Sequence, residues 1–377
     1  MALTNFAALT PQQKLVWSRD VWKEARDLSF FNKFTGTGQD SVVQRITELT
    51  RTEKGEQVIM HLLADLVDDG VIGDNEREGN EEEMLSYSDI ITIDLISHGV
   101  RQKGKLAEQK TVISFREHAR DRLAYWLANR MDQLGFLTLS GIAYSRKLDG
   151  DDRTTGAFAS LAFAADVAAP TTNRGRYVQG AALGGAYSGI AAINQAATDI
   201  TYLSYEAIVD LVTFAKTTYL KPLMAGGKEY YVAFVRPEAL AQLKKDPDYQ
   251  NAIVTGLQRS EKNPFFTGGT VTVDGLVIHE HRLVYNTKGT TTNARKYDTG
   301  NSNGNGGDDF ARMLICGSQA MGMADLGAPE WAEKWFNYNS SPGINVDKMF
   351  GLLKPKFQNM YTGSVEDFGV LAVDHLV

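Results

Sequence analysis

From residue 106 to residue 133 the chain runs 28 residues without a glycine or a proline. Through this stretch Val112, Phe115, Ala119, Leu123, Trp126, Leu127, Met131 and Leu134 recur at spacings of three and four. That period places them on one stripe of an α-helix, with Arg116, Arg120 and Arg130 off the stripe. Helical throughout, the stretch would span about 42 Å, long for a globular domain. The spacing predicts a helix within 106–143 that acts as a spine for whatever packs around it.

The segments before it read differently. Residues 12–34 predict a helix followed by an aromatic cluster, with Leu28, Phe30, Phe31 and Phe34 crowded into seven positions. So aromatic a segment must pack on something, its own domain or a neighbouring subunit. Residues 42–67 and Ser88 to Ile96 alternate as strands. Between them lie eight acids from Asp68 to Glu83 and one base, Arg77, a local charge of −7. The whole chain also carries −7, so the remainder is neutral. We expect a long two-stranded ribbon with an acidic tip. An isolated ribbon is marginal in water, so it should lie on another surface.

Beyond the spine, residues 150–200 predict loop or weak packing. Helices are expected from Ser204 to before Pro222 and from Pro237 to before Pro247. Residues 230–235 predict a strand. Residues 270–285 predict a hairpin turning at Asp274-Gly275, a favoured turn pair. The polar stretch 287–309 predicts a mobile loop. Residues 313–316, 351–360 and 368–373 are further strand candidates. Helices and strands mix without βαβ alternation, so the expected class is α+β.

Composition excludes several functions. Hydrophobic residues make up 43% and charged residues 23% of 377, ordinary for a folded protein. One cysteine, Cys316, rules out an intrachain disulfide and a multi-cysteine zinc site. It sits in an apolar run, as a buried inert thiol would. No apolar run reaches the roughly 18 residues of a membrane span, and the N-terminus lacks a secretory pattern. The acidic balance argues against a dedicated nucleic-acid binder. There is no phosphate-binding loop, nucleophile elbow or zinc-protease motif. His279 and His281 share one face of a strand and could supply two metal ligands, but no third is evident, and a solvated polar hairpin face is the plainer reading. Trp331 and Trp335 could stack a base or sugar, or anchor a helix or loop. No catalytic residue, metal or cofactor is assigned. The features that stand out belong to assembly.

Residues 70–74 (GVIGD), 78–82 (EGNEE), Leu85, Tyr87, Asp89, Ile93, Asp94, 106–109 (LAEQ), Phe115, Arg116, Ala119 and 123–126 resemble the major capsid proteins of tailed bacteriophages, of the podophage coat type. So do 17–20 (WSRD) and 31–36 (FNKFTG) upstream. Downstream, residues 230–237 with Leu243, Asp246 and Pro247, and then 350–357, continue the likeness. The resemblance implies the shell fold that tailed phages share with herpesviruses and encapsulins. It further implies an N-terminal arm (1–44), an extended loop (45–105) with its acidic tip over 68–83, and a peripheral domain (106–200). An axial domain (201–318) and a return to the peripheral domain (319–377) complete the implied order.

The implied function is self-assembly into hexamers and pentamers of an icosahedral head. The head would enclose double-stranded DNA without binding it specifically, and would be assembled in the host bacterial cytoplasm without a membrane. Expected intersubunit contacts are Trp17, Trp22, Phe30 and Phe31, and the acids Asp74, Glu76, Glu78, Glu81, Glu82 and Glu83. Arg116 and Arg120, with Arg122, are the expected receptors for those acids. Because the family pattern begins close to Met1, with no preceding scaffolding-like domain, a separate scaffolding protein is expected, besides a portal and possible decoration proteins. The alternatives are an encapsulin-like nanocompartment shell, and an enzyme or lectin using the histidines and tryptophans.

Overall fold

The structure is a computed structural model that describes residues 11–47, 55–63, 66, 68–82, 86–104, 115–180, 182–185, 200–256, 271–292, 296, 307–359 and 363–377. In chain order, α1 (Pro11–Leu28) leads through a 3-10 turn (Phe31–Phe34) into β1 (Thr35–Gly36) and β2 (Val43–Ile46). β3 (Gln57–Leu63) and β4 (Ser86–Thr92) flank the acidic segment, and β5 (Asp94–Arg101) follows. The spine helix is α2 (Phe115–Ser140). Next come β6 (Gly175–Gln179), β7 (Ala182–Leu183), α3 (Tyr205–Thr217), β8 (Leu223–Ala225) and β9 (Lys228–Val235). They are followed by α4 (Pro237–Lys245), α5 (Pro247–Gly256), β10 (Val271–Val273) and β11 (Leu276–Glu280). The chain closes with β12 (Phe310–Cys316), β13 (Met321–Asp325), β14 (Glu330–Phe336), β15 (Ser341–Leu353), β16 (Lys356–Gln358), β17 (Val365–Asp367) and β18 (Val370–Leu376).

Two sheets organise these elements. The first runs β1-β2-β13-β15-β14, with β5 also on β15. The thirteen-residue β15 serves three partners: β14 and β5 on its first part and β13 on its last four residues. The second sheet runs β10-β11-β9-β12-β18-β6-β7, with β8 on β9. Its central strands alternate between two cores. Val232, Phe234, Leu314, Cys316, Val370 and Ala372 face α2 and the first sheet. Tyr231, Ala233, Val235, Met313, Ile315, Leu371 and Val373 face α3, α4 and α5. A strand covered on both faces reads as a continuous apolar run, as residues 313–316 and 370–373 do.

The spine changes character along its length. From Phe115 to Ala128 only Ala119, Leu123, Ala124, Leu127 and Ala128 are buried; Ala119, Leu123 and Leu127 are of the expected stripe, while its Phe115, Trp126 and Met131 are half-buried. From Leu134 to Ser140 every residue is buried, because this end enters between the sheets. Gly135 is needed there: a Cβ would stand 2.8 Å from the Phe31 ring. Ser140 closes the helix by accepting Arg312 Nη1 at 2.6 Å, and Arg312 is held by Asp374 through two bonds of 2.8 and 2.9 Å. A second buried pair, Arg174 to Glu366 at 3.0 Å, lies where the 3-10 turn Thr172–Arg174 meets β17. Asn173 and Asn359 also donate to Glu366, the full pairing a buried charge requires.

Several expectations change. The spine is seen from Phe115 to Ser140, and 105–114 lie outside the described residues. The ribbon is shorter than expected: seven residues pair on each side, from Gln57 with Thr92 to Leu63 with Ser86. The strand expected over 88–96 breaks at Ile93, whose N–H bonds Glu56 O, and β5 then leaves to join β15. The closing segment is split. Residues 321–353 join the first sheet, and β18 pairs with β12 and β6 in the second. Residues 150–180 hold 3-10 turns and β6, with Arg174 wholly buried. In the expected mobile loop, Thr287 and Thr290 are buried, while 293–295 and 297–306 lie outside the described residues. The hairpin forms at Asp274-Gly275, but its second strand ends at Glu280.

The ribbon crosses the first sheet at Gly351, where a Cβ would meet Thr92 O at 2.3 Å. Gly351→Ala should therefore cost about 1–3 kcal/mol through overpacking. Urea unfolding of the unassembled chain should show that loss, with faster proteolysis within 57–92.

Candidate assembly surfaces

The aromatic arm packs on its own chain. Phe31 is 6% exposed. Its ring lies 4.6 Å from Phe136 of α2 and 5.8 Å from Phe234 of β9. Phe30 stacks on Phe136 and on His281, and Phe34 meets Phe234 and His279. Asp132 of α2 secures the backbone beneath: it accepts Ser29 Oγ at 2.7 Å, Phe30 N at 2.9 Å and Phe31 N at 3.4 Å. Burial pushes the Asp132 carboxyl above its usual range, against the pull of these donors. Earlier in the arm, Trp17 lies 5.6 Å from Trp331 of β14, and the Trp22 ring takes the Lys348 ammonium at 3.9 Å. All four aromatics expected between subunits thus hold α1 and the arm to this chain.

The histidines join the same cluster. Both rings are half-buried against phenylalanines, not solvated on a polar hairpin face. Among the described residues no group of three His, Cys, Asp or Glu side chains could hold a metal ion. Trp331 and Trp335 lie on a strand, β14, and not on a helix or loop. Cys316 is fully buried, and burial pushes its thiol pKa up.

The ribbon is different. Its inner face, Val58, Met60, Leu62 and Ile91, packs on Ala324, Leu353 and Phe368 of the same chain. Its outer face is open. Ile59 and Ile90 are cross-strand partners and are 46% and 50% exposed. At the tip Ile72 is 78% exposed. Asp74, Glu76, Glu78 and Glu81 are exposed, and no cation among the described residues pairs with them. Glu81 accepts Gly79 N at 2.7 Å and Glu82 accepts Asp68 N at 3.0 Å, which shapes the tip locally. Glu83 lies outside the described residues.

Two of the three spine arginines expected as receptors, Arg116 and Arg120, are already engaged. Arg116 bonds Glu333 at 2.9 Å. Arg120 bonds Asp121 at 2.8 Å and lies 5.5 Å from the Trp17 ring. Their carboxylate and aromatic partners are in the same chain, which the sequence reading did not foresee.

A two-stranded ribbon open on one face, an arm packed on its own chain and a helix buried at one end are the features that comparison must account for. Comparison with known proteins agrees. The chain is similar in fold to the capsid of Ralstonia phage GP4 (TM-score 0.68, 24% identity, 93% of this chain and 91% of that one). It is equally similar to the capsid of cyanophage Pam1 (TM-score 0.68, 16% identity, 100% and 96%). These likenesses define the fold as that of phage capsid shells. At the level of sequence, residues 5–377 match the model of the family described as phage capsid protein. The major capsid protein of Pseudomonas phage KPP25 is 45% identical over 375 residues, 98% of this chain and 96% of that one. The chain belongs to the phage capsid protein family. Its role is structural, as a major capsid protein of a phage, and the nanocompartment-shell alternative is not favoured. Among the described residues no helix is long and apolar enough to cross a membrane.

His281 makes the arm contact sensitive to acid. Burial, then Arg282 and Lys33, lower its pKa from 6.5 to about 4. The fold disfavours the imidazolium, so the stability this ring contributes is complete above pH 6.5 and is lost as pH falls toward 4. Asp132, with its raised pKa, contributes in the opposite sense as pH falls. Its contribution is common to wild type and His281→Phe, so the comparison isolates His281. Melting temperature measured against pH should fall less steeply between 6.5 and 4 in His281→Phe.

Proposed function

We propose that copies of this chain form the hexamers and pentamers of an icosahedral phage head around double-stranded DNA. The observation that carries this is the 45% identity, over nearly the whole length of both chains, to a phage major capsid protein. In this reading α2 and the first sheet make the peripheral domain, and the second sheet with α3, α4 and α5 makes the axial domain. The ribbon is the extended loop, and it covers a neighbouring subunit. Ile59 and Ile90 supply its apolar contact, and Asp74, Glu76, Glu78, Glu81 and Glu82 its charged one. The contact is heterologous, so rotation closes it into rings. Obligate interfaces typically bury about 2,000 Å² or more, and contacts around the whole subunit would share that area.

The role is mechanical, and no catalytic step enters it. A separate scaffolding protein sets shell size, a portal occupies one vertex, and decoration proteins bind outside. Assembly takes place in the host cytoplasm. The near-neutral body outside the acidic segment suits a wall that must not grip packaged DNA.

Electron microscopy after size-exclusion chromatography tests the reading. Wild type, alone or with the phage's other structural proteins, should give rings, tubes or hollow shells. Ile59→Lys with Ile90→Lys should abolish them while leaving the melting temperature of the unassembled chain within a few degrees. A wild type that stays monomeric even with those partner proteins would contradict the proposal.

A further inference from the structure

The acidic segment carries exposed carboxylates, and Arg116 and Arg120, two of the arginines expected to meet them, are bonded elsewhere. Positive charge is concentrated at another place, where α2, the turn over 147–158 and the residues after β11 meet. A cleft of about 590 Å³ lies there. Trp126, Arg130, Lys147, Arg153 and Arg282 line it, and Asp149 is the one acid among its lining residues. The three arginines bond only neutral acceptors among the described residues. Arg130 donates to Gln133 Oε1 at 2.7 Å and Arg282 to the Tyr125 hydroxyl at 3.0 Å. Arg153 Nε donates to the carbonyls of Tyr144 and Arg146. Its Nη2 is buried and has no hydrogen-bond acceptor among the described residues. The guanidinium carbons of Arg153 and Arg130 lie 4.8 and 6.0 Å from one ring, that of Phe158. Burial, and then repulsion from Arg130, lower the pKa of Arg153. Carboxylates brought between these groups would relieve the repulsion and form charge-assisted, bidentate hydrogen bonds.

We infer that this cleft receives the acidic segment 74–82 of a second copy of the chain. The inference rests on the head-assembly reading and adds the receptor to it. Complementarity is the argument: residues 74–82 carry a charge of −4, with Asp74, Glu76, Glu78 and Glu81 exposed, and a cleft on separate elements has a lining charge of +3. Two such surfaces on one molecule make a head-to-tail contact. Duplex DNA is the competing polyanion, but the body around the cleft has no basic excess to follow a phosphate backbone.

The test reverses charge on each side in the full-length chain and counts closed shells. Arg130→Glu with Arg282→Glu, and separately Glu76→Lys, Glu78→Lys and Glu81→Lys together, should each reduce shell yield at low salt by about tenfold, a typical scale for removing matched charges. Uniting both sets in one chain should restore it. Co-expressing the two defective chains should restore it in part, because in an alternating ring every tip then meets a cleft of opposite sign. A contact within one chain cannot be rescued by that mixture. If the glutamates disturb folding by circular dichroism, Arg130→Gln with Arg282→Gln serves on the cleft side, with a smaller loss expected. Failure of both rescues in folded variants overturns the proposal. So does an arginine variant that assembles normally but loses affinity for a short DNA duplex by fluorescence anisotropy. A wild type that forms no particle at all would instead remove the assembly reading beneath it, a distinguishable result.

Discussion

The contact of Phe30, Phe31 and Phe34 with Phe136 and Phe234 is the constraint on which the rest of this structure depends. It brings together the N-terminal arm, the buried end of the spine helix and the central strand β9 of the second sheet. Each buried aromatic contributes roughly 1.5–3 kcal/mol, and each well-placed ring pair about 0.5–1.5 more. Asp132 orients the arm by taking three donors from it. With the helix end held there, its other attachments follow: Arg312 bonds Ser140 O and is itself held by Asp374 of β18. These ties hold the helix to the second sheet, and its contacts with β15 and β5 hold it to the first.

The consequence for assembly is a division of labour. The aromatic residues that look like adhesive in the sequence are used within the subunit. Left uncovered by the chain itself are the outer face of a short ribbon and an acidic loop, and a basic cleft lies on separate elements. The ribbon can extend without detaching because its two faces differ. Met60, Leu62 and Ile91 bind it to its own chain, while Ile59 and Ile90 point away.

Local pattern made some of this legible and left the rest hidden. The spine was readable because its stripe repeats every three to four residues, and the Asp274-Gly275 hairpin because turn chemistry is local. The destination of β18 was not readable, since a strand apolar on both faces fits the middle of either sheet. α5 was missed because Pro247 was read as a stop, although proline equally opens a helix. The break at Ile93 was missed because residues 88–96 keep their apolar character while changing partner. The stacking of His279 and His281 depends on rings more than a hundred residues away, as does the engagement of Arg116 by Glu333. Arg130, Arg153 and Arg282 come from three separate segments, and no spacing joins them. The acidic segment, by contrast, was legible as an exposed charged loop from its composition alone.

The measurement that tests the account most directly is hydrogen exchange, followed by mass spectrometry, on the unassembled chain and on assembled particles. Exchange reports local opening, so it separates surfaces used in folding from surfaces used in assembly. The account predicts that residues 30–36 and 134–140 are equally protected in both states. It predicts new protection on assembly in 57–63, 86–92 and the tip 68–82. Strong new protection of the arm, with none in the ribbon, would contradict it and return the aromatics to the role of intersubunit anchors.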